Sequence, residues 1–509
     1  MKHALSVTRA ADFAAWYQDV IKEADLAEDS GVRGCMVIRP WGYGIWERIQ
    51  RLLDDRIKAT GHENCYFPIF IPLSYFEKEA AHVDGFAKEM AVVTHHRLIG
   101  DGKGGLIPDP AAKLEEPLIV RPTSETVIGA AMARWVQSWR DLPVLINQWA
   151  NVVRWEMRTR MFLRTSEFLW QEGHTAHATR EEAIEETLKM LEVYREFAET
   201  CLAMPVIAGE KPEHERFPGA DATYSIEAMM QDGKALQAGT SHFLGQTFSK
   251  AQDIKFQNSE GQFAHAWTTS WGVSTRMIGG VIMVHGDDDG LRLPPAIAPQ
   301  QVIIMPRLQG DDDDGDLLTF CESVKGLIAA QSVLAERIRV HIDKKPGKIG
   351  PMTWGWIKKG APLIIHVGKR EMEADSLTYF RRDALYNEVG QRVHEVMSLA
   401  DIDRVPSILE SIQMALHSEA TVRRDAAIKP VASWADLEAH FTGGEDDVIG
   451  WVSADWSRPT GAALEDVVKR LKVLKLTARN TPVAGAAATG PCIFTGEPAT
   501  EKILIGRTY

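Results

Sequence analysis

The chain has 509 residues, of which 45% are hydrophobic and 25% are charged, and its formal net charge is -13. This length is too great for one hydrophobic core and predicts about three domains of ordinary globular composition. The negative charge argues against a protein that coats nucleic acid non-specifically, but it is compatible with a local basic face for one RNA.

Neither a membrane segment nor a targeting segment is expected. No apolar run approaches the roughly 18 residues that a membrane helix needs, and the first residues carry acidic side chains in place of an apolar signal core. The cysteines are scattered and form no C-x-x-C pair: they are Cys35, Cys65, Cys201, Cys321 and Cys492. Neither a disulfide framework nor a cysteine-based zinc site is supported, and we expect a cytoplasmic protein.

The first 72 residues predict helices separated by proline-broken strands. Residues 1–30 have the apolar spacing of a helix, and residues 31–46 predict a strand and a turn. The next helix should end at Thr60–Gly61, a typical C-terminal pair. Residues 62–72 predict a strand with two prolines. Because proline is tolerated only at strand edges or ends, we expect this strand to border another surface, such as a second subunit.

Mixed strands dominate the residues up to about 276. A strand at 118–120 leads to Thr123 and Ser124, either of which suits the N-cap of a helix. A long helix begins at Thr179 with a capping box. Residues 221–256 predict strand, turn and strand, and residues 267–276 open a further strand or helix.

The hairpin at residues 151–174 is the most informative stretch. Its apolar ends predict two strands, and four arginines lie between them: Arg154, Arg158, Arg160 and Arg164. Four guanidinium groups repel one another unless an anion sits among them. Glu156 is two residues from Arg154, so both side chains should point to one face of a strand. The alternative is a solvated edge hairpin with surface arginines.

From about residue 298 the pattern changes to strand, helix and strand with short connections, which predicts a small α/β domain with a mainly parallel sheet. A helix over 316–337 belongs to this part, and a helix over 400–425 leads into a third region. We therefore predict an α+β domain on a mixed, mainly antiparallel sheet over 1–297, an α/β domain over 298–402, and a small α/β C-terminal domain over 403–509.

No glycine-rich phosphate loop precedes a helix, so arginines would have to hold any nucleotide. On its motifs the chain resembles a class II aminoacyl-tRNA synthetase, specifically a prolyl-tRNA synthetase of the archaeal/eukaryotic-like type. G-H-E-N-C-Y-F-P-I-F at 61–70 resembles motif 1, R-W-E with F-L-R-T at 154–165 resembles motif 2, and T-S-W-G-V-S-T-R at 269–276 resembles motif 3. Prolyl-type signatures stand at 121–126, 168–174 and 239–246.

The resemblance implies an ATP site in which Arg154 and Arg276 are the catalytic residues. Arg154 would contact the α-phosphate and the substrate carboxylate, and Glu156 the adenine amine. Arg164 and Arg276 would hold the outer phosphates. The implied ATP-binding set is Arg154, Glu156, Arg164, Thr165, Gln237, Thr240 and Arg276.

The resemblance also implies a proline site. Thr123 and Glu125 would bind the secondary ammonium, and three side chains would surround the ring: Phe86, Trp170 and His242. The full implied set is Thr123, Glu125, Arg154, Trp170, Glu172, His242, Ser270 and Phe86. From the residues alone, Trp170 and Phe86 also suit a core, Thr123 an N-cap, and His242 a buried core position.

The implied ligands are L-proline, ATP with Mg²⁺, and tRNA(Pro), with a homodimer formed through the motif 1 region and no membrane partner. The second domain would bind the anticodon through basic and aromatic side chains: Lys344, Lys345, Lys348, Lys358, Lys359, Arg381, Arg382, Trp354 and Trp356. The alternatives are a non-catalytic synthetase-like protein and a sister class II enzyme for threonine or serine.

Two expectations concern what the chain lacks. The interval 175–266 is too short for the inserted editing domain of bacterial-type relatives. The resemblance implies a four-cysteine zinc site in the C-terminal region, but Cys492 is the one cysteine of the sequence there, so we expect no structural zinc. Six side chains should pack the zinc-free region: Trp434, Phe441, Trp451, Trp456, Ile493 and Phe494. The terminal Tyr509 should dock against the first domain.

Overall fold

The computed structural model describes residues 3–77, 90–308, 314–345, 347–442 and 448–509. Up to residue 297 its helices are α1 Phe13–Glu23, α2 Pro40–Ala59, α3 Leu73–Glu77, α4 Glu125–Trp135, α5 Arg180–Thr200, α6 Thr247–Ala251 and α7 Arg276–His285. Its strands there are β1 Ala27–Asp29, β2 Met36–Ile38, β3 Glu63–Asn64, β4 Phe70–Pro72, β5 Val92–His95, β6 Leu98–Gly100, β7 Leu106–Pro108, β8 Lys113–Val120, β9 Val144–Val153, β10 Glu167–His177, β11 Val206–Glu210, β12 Ala222–Met229, β13 Ala235–Gly245, β14 Lys255–Gln257, β15 Phe263–His265 and β16 Trp267–Ser274.

Beyond residue 297 the helices are α8 Asp314–Ala329, α9 Ile349–Lys358, α10 Lys369–Glu373, α11 Val405–Ala427, α12 Trp434–Thr442 and α13 Gly461–Val473. The strands are β17 Val302–Pro306, β18 Ser332–Val333, β19 Glu336–Arg337, β20 Val340–Ile342, β21 Leu363–Val367, β22 Ser376–Arg381, β23 Glu395–Ser398, β24 Ile428–Val431, β25 Trp451–Trp456, β26 Thr477–Ala478, β27 Thr481–Pro482 and β28 Glu501–Gly506.

An eight-stranded sheet with the order β27-β11-β12-β13-β16-β10-β9-β3 forms the centre of the fold. Adjacent strands of this sheet are antiparallel, except that β3 runs parallel to β9. This confirms the predicted mixed, mainly antiparallel sheet. One face packs on α5, where Tyr194 donates a hydrogen bond of 2.6 Å to Gln171 of β10. Gly173 of β10 must be glycine, because a Cβ there would lie 2.1 Å from the Trp271 ring.

The second large sheet has the order β20-β17-β21-β22-β23 and packs on α8 and α11. Only β20, β17 and β21 are parallel, and β22 and β23 are antiparallel additions. The prediction of a mainly parallel sheet is therefore wrong for its outer half. Helix α8 ends at Ala329 instead of residue 337, because a tight β18–β19 hairpin follows it.

A four-stranded sheet, β24-β25-β28-β26, organises the chain from Ile428 onward. Five of the six predicted side chains join its core cluster or pack against it, namely Trp434, Phe441, Trp456, Ile493 and Phe494. Trp451 instead packs with Met229 and Ala235 of the central sheet. The docking of Tyr509 is confirmed, since its hydroxyl donates to Asp232 at 2.6 Å.

Several helix and strand boundaries in the first 72 residues differ from the sequence predictions. The helix predicted over residues 1–30 spans only α1 and is followed by β1. Residues 31–46 contain the start of α2, because Pro40 sits in its first turn, where proline is tolerated. The strand predicted over 62–72 is two short strands, β3 and β4. The C-terminus of α2 at Thr60 is as predicted, and Gly61 has a φ of 91°.

Within the described residues, no helix combines the length and the apolarity needed to cross a membrane.

Candidate active site

Polar side chains align across one face of the central sheet. His174 of β10 is opposite Ser270 of β16, and Ser270 is opposite His242 of β13. Glu172 lies two residues from His174 and therefore shares that face. These strands form the floor of a cavity of ≈ 200 Å³, called here the inner cavity.

Two carboxylates, those of Glu125 and Glu172, line the inner cavity. Glu125, the first residue of α4, accepts a very short hydrogen bond from Thr123. Glu172 accepts hydrogen bonds from Ser124 at 2.5 Å and Gln148 at 2.7 Å and lies 3.0 Å from His174. Burial raises the pKa of Glu172, but His174 and these donors outweigh burial and leave the pKa below its usual value. Burial lowers the pKa of His174, but Glu172 outweighs that effect and raises it.

The inner cavity is also lined by aromatic rings and by two polar atoms that have no hydrogen-bond partner among the described residues. Trp170 Nε1 and Ser270 Oγ are buried and find no hydrogen-bond partner among the described residues. The His242 ring lies 4.7 Å from the Phe217 ring, and its Nδ1 is 3.1 Å from the Thr223 hydroxyl. Burial, with nearby positive charge, lowers the pKa of His242 to about 3, so the ring is neutral. A bound ligand could satisfy the two unpartnered groups.

Arg154 lies just after the end of β9 and lines the inner cavity. Its Nε donates to the Pro122 carbonyl at 2.9 Å, and its guanidinium lies 5.6 Å from the Phe168 ring centre and 5.3 Å from that of Trp170. Burial lowers the pKa of Arg154, although the carboxylates of Glu125 and Glu172 oppose that effect. The side chain is thus positioned by backbone and rings, with its charge close to the cavity.

A second cavity of ≈ 780 Å³, the outer cavity, adjoins the first and shares Lys211, Glu215 and Gln237 with it. Its lining is strongly cationic: Arg33, Arg158, Arg160, Arg164, Lys211, Lys234, Arg276 and Arg479. Burial and the neighbouring guanidinium groups of Arg154 and Arg164 lower the pKa of Arg276 to about 10. Such crowding of positive charge fits an anion with several charges.

The structure brings most of the predicted residues together. Nine line the inner cavity: Thr123, Glu125, Arg154, Trp170, Glu172, Gln237, Thr240, His242 and Ser270. Arg164, Gln237 and Arg276 line the outer cavity.

Three predicted residues are placed elsewhere. Glu156 is not among the residues lining either cavity; its carboxylate accepts the Arg158 amide at 2.7 Å and lies 4.0 Å from Arg164. Because β9 ends at Val153, the prediction that Arg154 and Glu156 share a strand face is wrong. Thr165 lines a separate cavity beside Cys35. Phe86 lies outside the described residues.

Sequence reasoning missed the segment 211–217. Lys211, Arg216 and Phe217 line the inner cavity although no periodic pattern marks them. Their only signal is a charged run, E-K-P-E-H-E-R-F, directly after a strand. His174 was also missed as a partner of Glu172, although the alternation along β10 places the two on one face.

Several cations proposed for anticodon binding are already paired with carboxylates. Lys358 bonds Glu23 at 2.6 Å, and Arg382 is buried against Asp287 at 2.6 Å. Lys359 pairs with Asp25 at 2.9 Å. These contacts join the second sheet to the first part of the chain and do not form an open basic face.

In chemical terms, the inner cavity offers carboxylates and a hydroxyl for a small cation beside apolar rings. The outer cavity offers guanidinium groups for phosphates, and Arg154 stands between them. A family model described as tRNA synthetase class II core domain (G, H, P, S and T) matches residues 111–285. One described as anticodon binding domain matches residues 301–400. Fold and cavities together are those of a class II aminoacyl-tRNA synthetase.

Full-length relatives narrow the class to one family. Proline--tRNA ligase of Sphingomonas elodea is 67% identical over 513 residues, and that of Erythrobacter litoralis is 65% identical over 512 residues. The alignments cover 100% of this chain and 100% and 99% of those proteins. A crystal structure of prolyl-tRNA synthetase from Cryptosporidium parvum with L-proline and AMP has a TM-score of 0.87 at 34% identity, covering 99% of this chain and 97% of that one. The chain belongs to the prolyl-tRNA synthetase family, the proline--tRNA ligases.

Proposed function

We propose that the chain activates L-proline with ATP to prolyl-adenylate and transfers the prolyl group to the 3′ end of tRNA(Pro). One observation carries this proposal: a small carboxylate-bearing cavity opens into a larger cationic one, and the two share Lys211, Glu215 and Gln237. A small zwitterion and a nucleotide phosphate can meet there, at the side chain of Arg154.

In this proposal Thr123 and Glu125 bind the secondary ammonium of proline, and Trp170 and His242 enclose its ring. A neutral His242 adds no repulsion toward that ammonium. The ionised proline carboxylate attacks the α-phosphorus of ATP, the bond to pyrophosphate breaks, and pyrophosphate leaves. Arg154 neutralises the negative charge that accumulates at the phosphorus. Because the attacking group is already ionised, no general base is required.

The outer cavity would hold the nucleotide. Arg164 and Arg276 bind its outer phosphates, while Gln237 and Thr240 contact it nearer the inner cavity. Glu156 keeps its proposed contact with the adenine amine, and Thr165 keeps its place among the proposed ATP-binding residues. Both would require ATP to extend along the motif 2 hairpin. One carboxylate, Glu215, lines the cavity among the cations, which fits Mg²⁺ entering on the nucleotide phosphates. When bound, Mg²⁺ would neutralise phosphate charge.

We also propose the archaeal/eukaryotic-like subtype without an inserted editing domain. The interval 175–266 is occupied by the end of β10, α5, α6 and β11–β15. Strands β11, β12 and β13 belong to the central sheet itself. This arrangement supports the proposal that the chain does not hydrolyse mischarged alanyl-tRNA(Pro).

The proposed domains are 1–297 for catalysis, 298–402 for the anticodon and 403–509 for the C-terminal appendage. A homodimer through the motif 1 region is supported by exposed apolar side chains there, with Tyr66 73% and Phe70 46% exposed. The described cysteines are all free thiols, which supports a reducing, cytoplasmic location.

Amino-acid-dependent exchange of pyrophosphate into ATP tests the proposal. The purified chain should catalyse exchange with proline, weakly with alanine, and not with threonine. Charging of tRNA(Pro) should follow. Absence of proline-dependent exchange would favour a non-catalytic synthetase-like protein, and preference for threonine would favour a sister enzyme.

A further inference from the structure

The C-terminal region makes contact with the segment that closes the inner cavity. Strand β27 pairs with β11 at the edge of the central sheet, and Thr481 lies opposite Glu210 there. Glu210 is the last residue of β11. The next seven residues, 211–217, form the cavity loop, as we name it here. Side chains that bind Glu210 therefore also fix the position at which the cavity loop begins.

Arg458 holds Glu210 from the C-terminal side. Its NH1 donates to Glu210 at 2.9 Å, while its Nε and NH2 donate to Glu501 at 2.5 Å and 2.9 Å. Glu501 in turn accepts the Thr481 hydroxyl at 3.2 Å. The planar fork of one guanidinium thus bridges two carboxylates that would otherwise repel each other. Arg458 has a φ of 54°, a conformation that costs a side-chain-bearing residue energy and is retained only when its surroundings enforce it.

The cavity loop connects Glu210 with the wall of the inner cavity. The Lys211 amide donates to the Thr223 carbonyl at 2.8 Å, and the Phe217 amide donates to the Thr223 hydroxyl at 2.9 Å. That hydroxyl also contacts His242 at 3.1 Å. Both ends of the loop are therefore tied to the residue that orients the His242 ring.

We propose that Arg458 is a positioning residue for the amino-acid cavity, acting through Glu210 and the cavity loop. Without Arg458, Glu210 and Glu501 lose the guanidinium that bridges them, and Arg216, 3.6 Å from Glu210, becomes the nearest cation to Glu210. The loop then shifts toward Glu210, and the Phe217 wall of the cavity loosens. This inference rests on the proposed function, because it takes the inner cavity as the proline site.

The test is the exchange assay with Arg458→Gly in the full-length chain. Glycine accepts the positive φ, so the variant removes the side chain without adding backbone strain. The KM for proline should rise about 3- to 30-fold, with the KM for ATP and kcat changed less than 2-fold, as expected of a coupling that acts through packed neighbours. Arg458→Lys keeps one charge but not the fork, and should give an intermediate KM for proline.

Two further variants separate positioning from a general loss of structure. Arg470→Ala removes an arginine whose contacts, with Trp434 and Phe494, stay within the C-terminal region, and it should leave the KM for proline unchanged. Glu210→Gln should raise this KM, and the double variant with Arg458→Gly should be no worse than the poorer single variant.

The outcomes are distinct. A wild-type chain without proline-dependent exchange overturns the proposed function. An active wild-type chain overturns only this inference if Arg458→Gly leaves the KM for proline within 2-fold, raises the KM for ATP equally, or adds its effect independently to that of Glu210→Gln.

Discussion

Glu172 and His174 are two residues apart on β10, so their side chains share one face of the sheet, and they lie 3.0 Å apart beneath the inner cavity. Each is at most 5% exposed. A carboxylate and an imidazole buried together stabilise each other's charged forms, which explains the opposite shifts of their pKa values. The pair lies behind the place where we propose that the proline ammonium binds.

This pair predicts a pH-dependent contribution to stability. The pKa of folded Glu172 is below its ordinary 4.5, so its contribution exists above that pH and is lost on acidification. The pKa of folded His174 is above its ordinary 6.5, so its contribution is full below that pH and is lost as the pH rises through the folded value. The pair therefore stabilises most between 4.5 and 6.5.

Glu172→Gln should lower the free energy of unfolding most inside that window, and by less at alkaline pH, where His174 is neutral in both states. Urea unfolding of the two proteins at about pH 5.5 and about pH 8.5 measures the difference. Glu185→Gln, on the exposed face of α5, is the matched control and should show no such trend. An equal loss at both pH values would contradict the coupling.

Arg154→Ala should abolish proline-dependent exchange while leaving the fold intact. Removing a charge that acts in the transition state costs about 3 kcal/mol or more, a loss of at least about a hundredfold in kcat. Arg140→Ala removes an arginine that lies over the Trp139 ring at the surface and should leave exchange unchanged. Exchange by Arg154→Ala within a few-fold of wild type would show that the active site lies elsewhere.

Glu125→Gln should raise the KM for proline far more than the KM for ATP. The substitution keeps an acceptor for Thr123 but removes the charge that faces the ammonium, and a charge-assisted hydrogen bond is worth about 1.5–3 kcal/mol. Glu181→Gln, in the first turn of α5, provides an exposed control. Equal changes in both KM values would remove Glu125 from its proposed role.

The sequence alone predicted most of the residues that the structure brings together around the two cavities, because strand alternation is a local property and the signatures are short. Glu172, Ser270 and His242 lie on strands whose pairing brings their side chains to one face. Thr123 and Glu125 follow a strand and open a helix, as their signature implied. Their placement needed only the local strand pattern, which the sequence carries, although it left residues 267–276 open between strand and helix.

What sequence could not supply depended on loops and on contacts between distant segments. The place of Glu156 depends on where β9 stops, one residue before Arg154. Lys211 and Phe217 lie in a loop without periodicity. Arg479 is remote in sequence, yet it lines the outer cavity because β27 joins the edge of the central sheet. No local pattern encodes such a contact.

Arg479 and Glu227 form a buried ion pair at 2.8 Å between the C-terminal region and the central sheet. Arg479→Met should lower the free energy of unfolding by about 3–5 kcal/mol, because the buried Glu227 carboxylate loses its partner. Adding Glu227→Gln removes the unpaired charge and keeps the acceptor for Ser225, so the double variant should recover part of the loss. Chemical denaturation of both variants measures the two free energies of unfolding. A double variant less stable than Arg479→Met would contradict the explanation.

The resemblance to archaeal/eukaryotic-like prolyl-tRNA synthetases implies a zinc site in the C-terminal region, but the one thiol of this region, Cys492, has other partners. Cys492 is 2% exposed. Burial raises its pKa, but hydrogen bonds from Ser457, Thr495 and two backbone amides outweigh burial and lower the pKa. Among the described residues, no three side chains of the types His, Cys, Asp and Glu come close enough to hold a metal ion. The apolar cluster around Trp456 and Phe494 fills the core of this region.

We therefore predict that the C-terminal region folds without zinc. A structural zinc site contributes a large part of the folding free energy of a small domain, so its removal by a chelator would unfold that domain. Here apolar packing has that role, and a chelator should leave the melting temperature and the exchange activity unchanged. Trp456→Ala should instead destabilise the region by about 3–5 kcal/mol, as the loss of a buried aromatic side chain does. Metal analysis of the purified chain is the direct measurement. About one zinc per chain, removable only with loss of structure, would contradict the prediction, and so would a Trp456→Ala variant as stable as wild type.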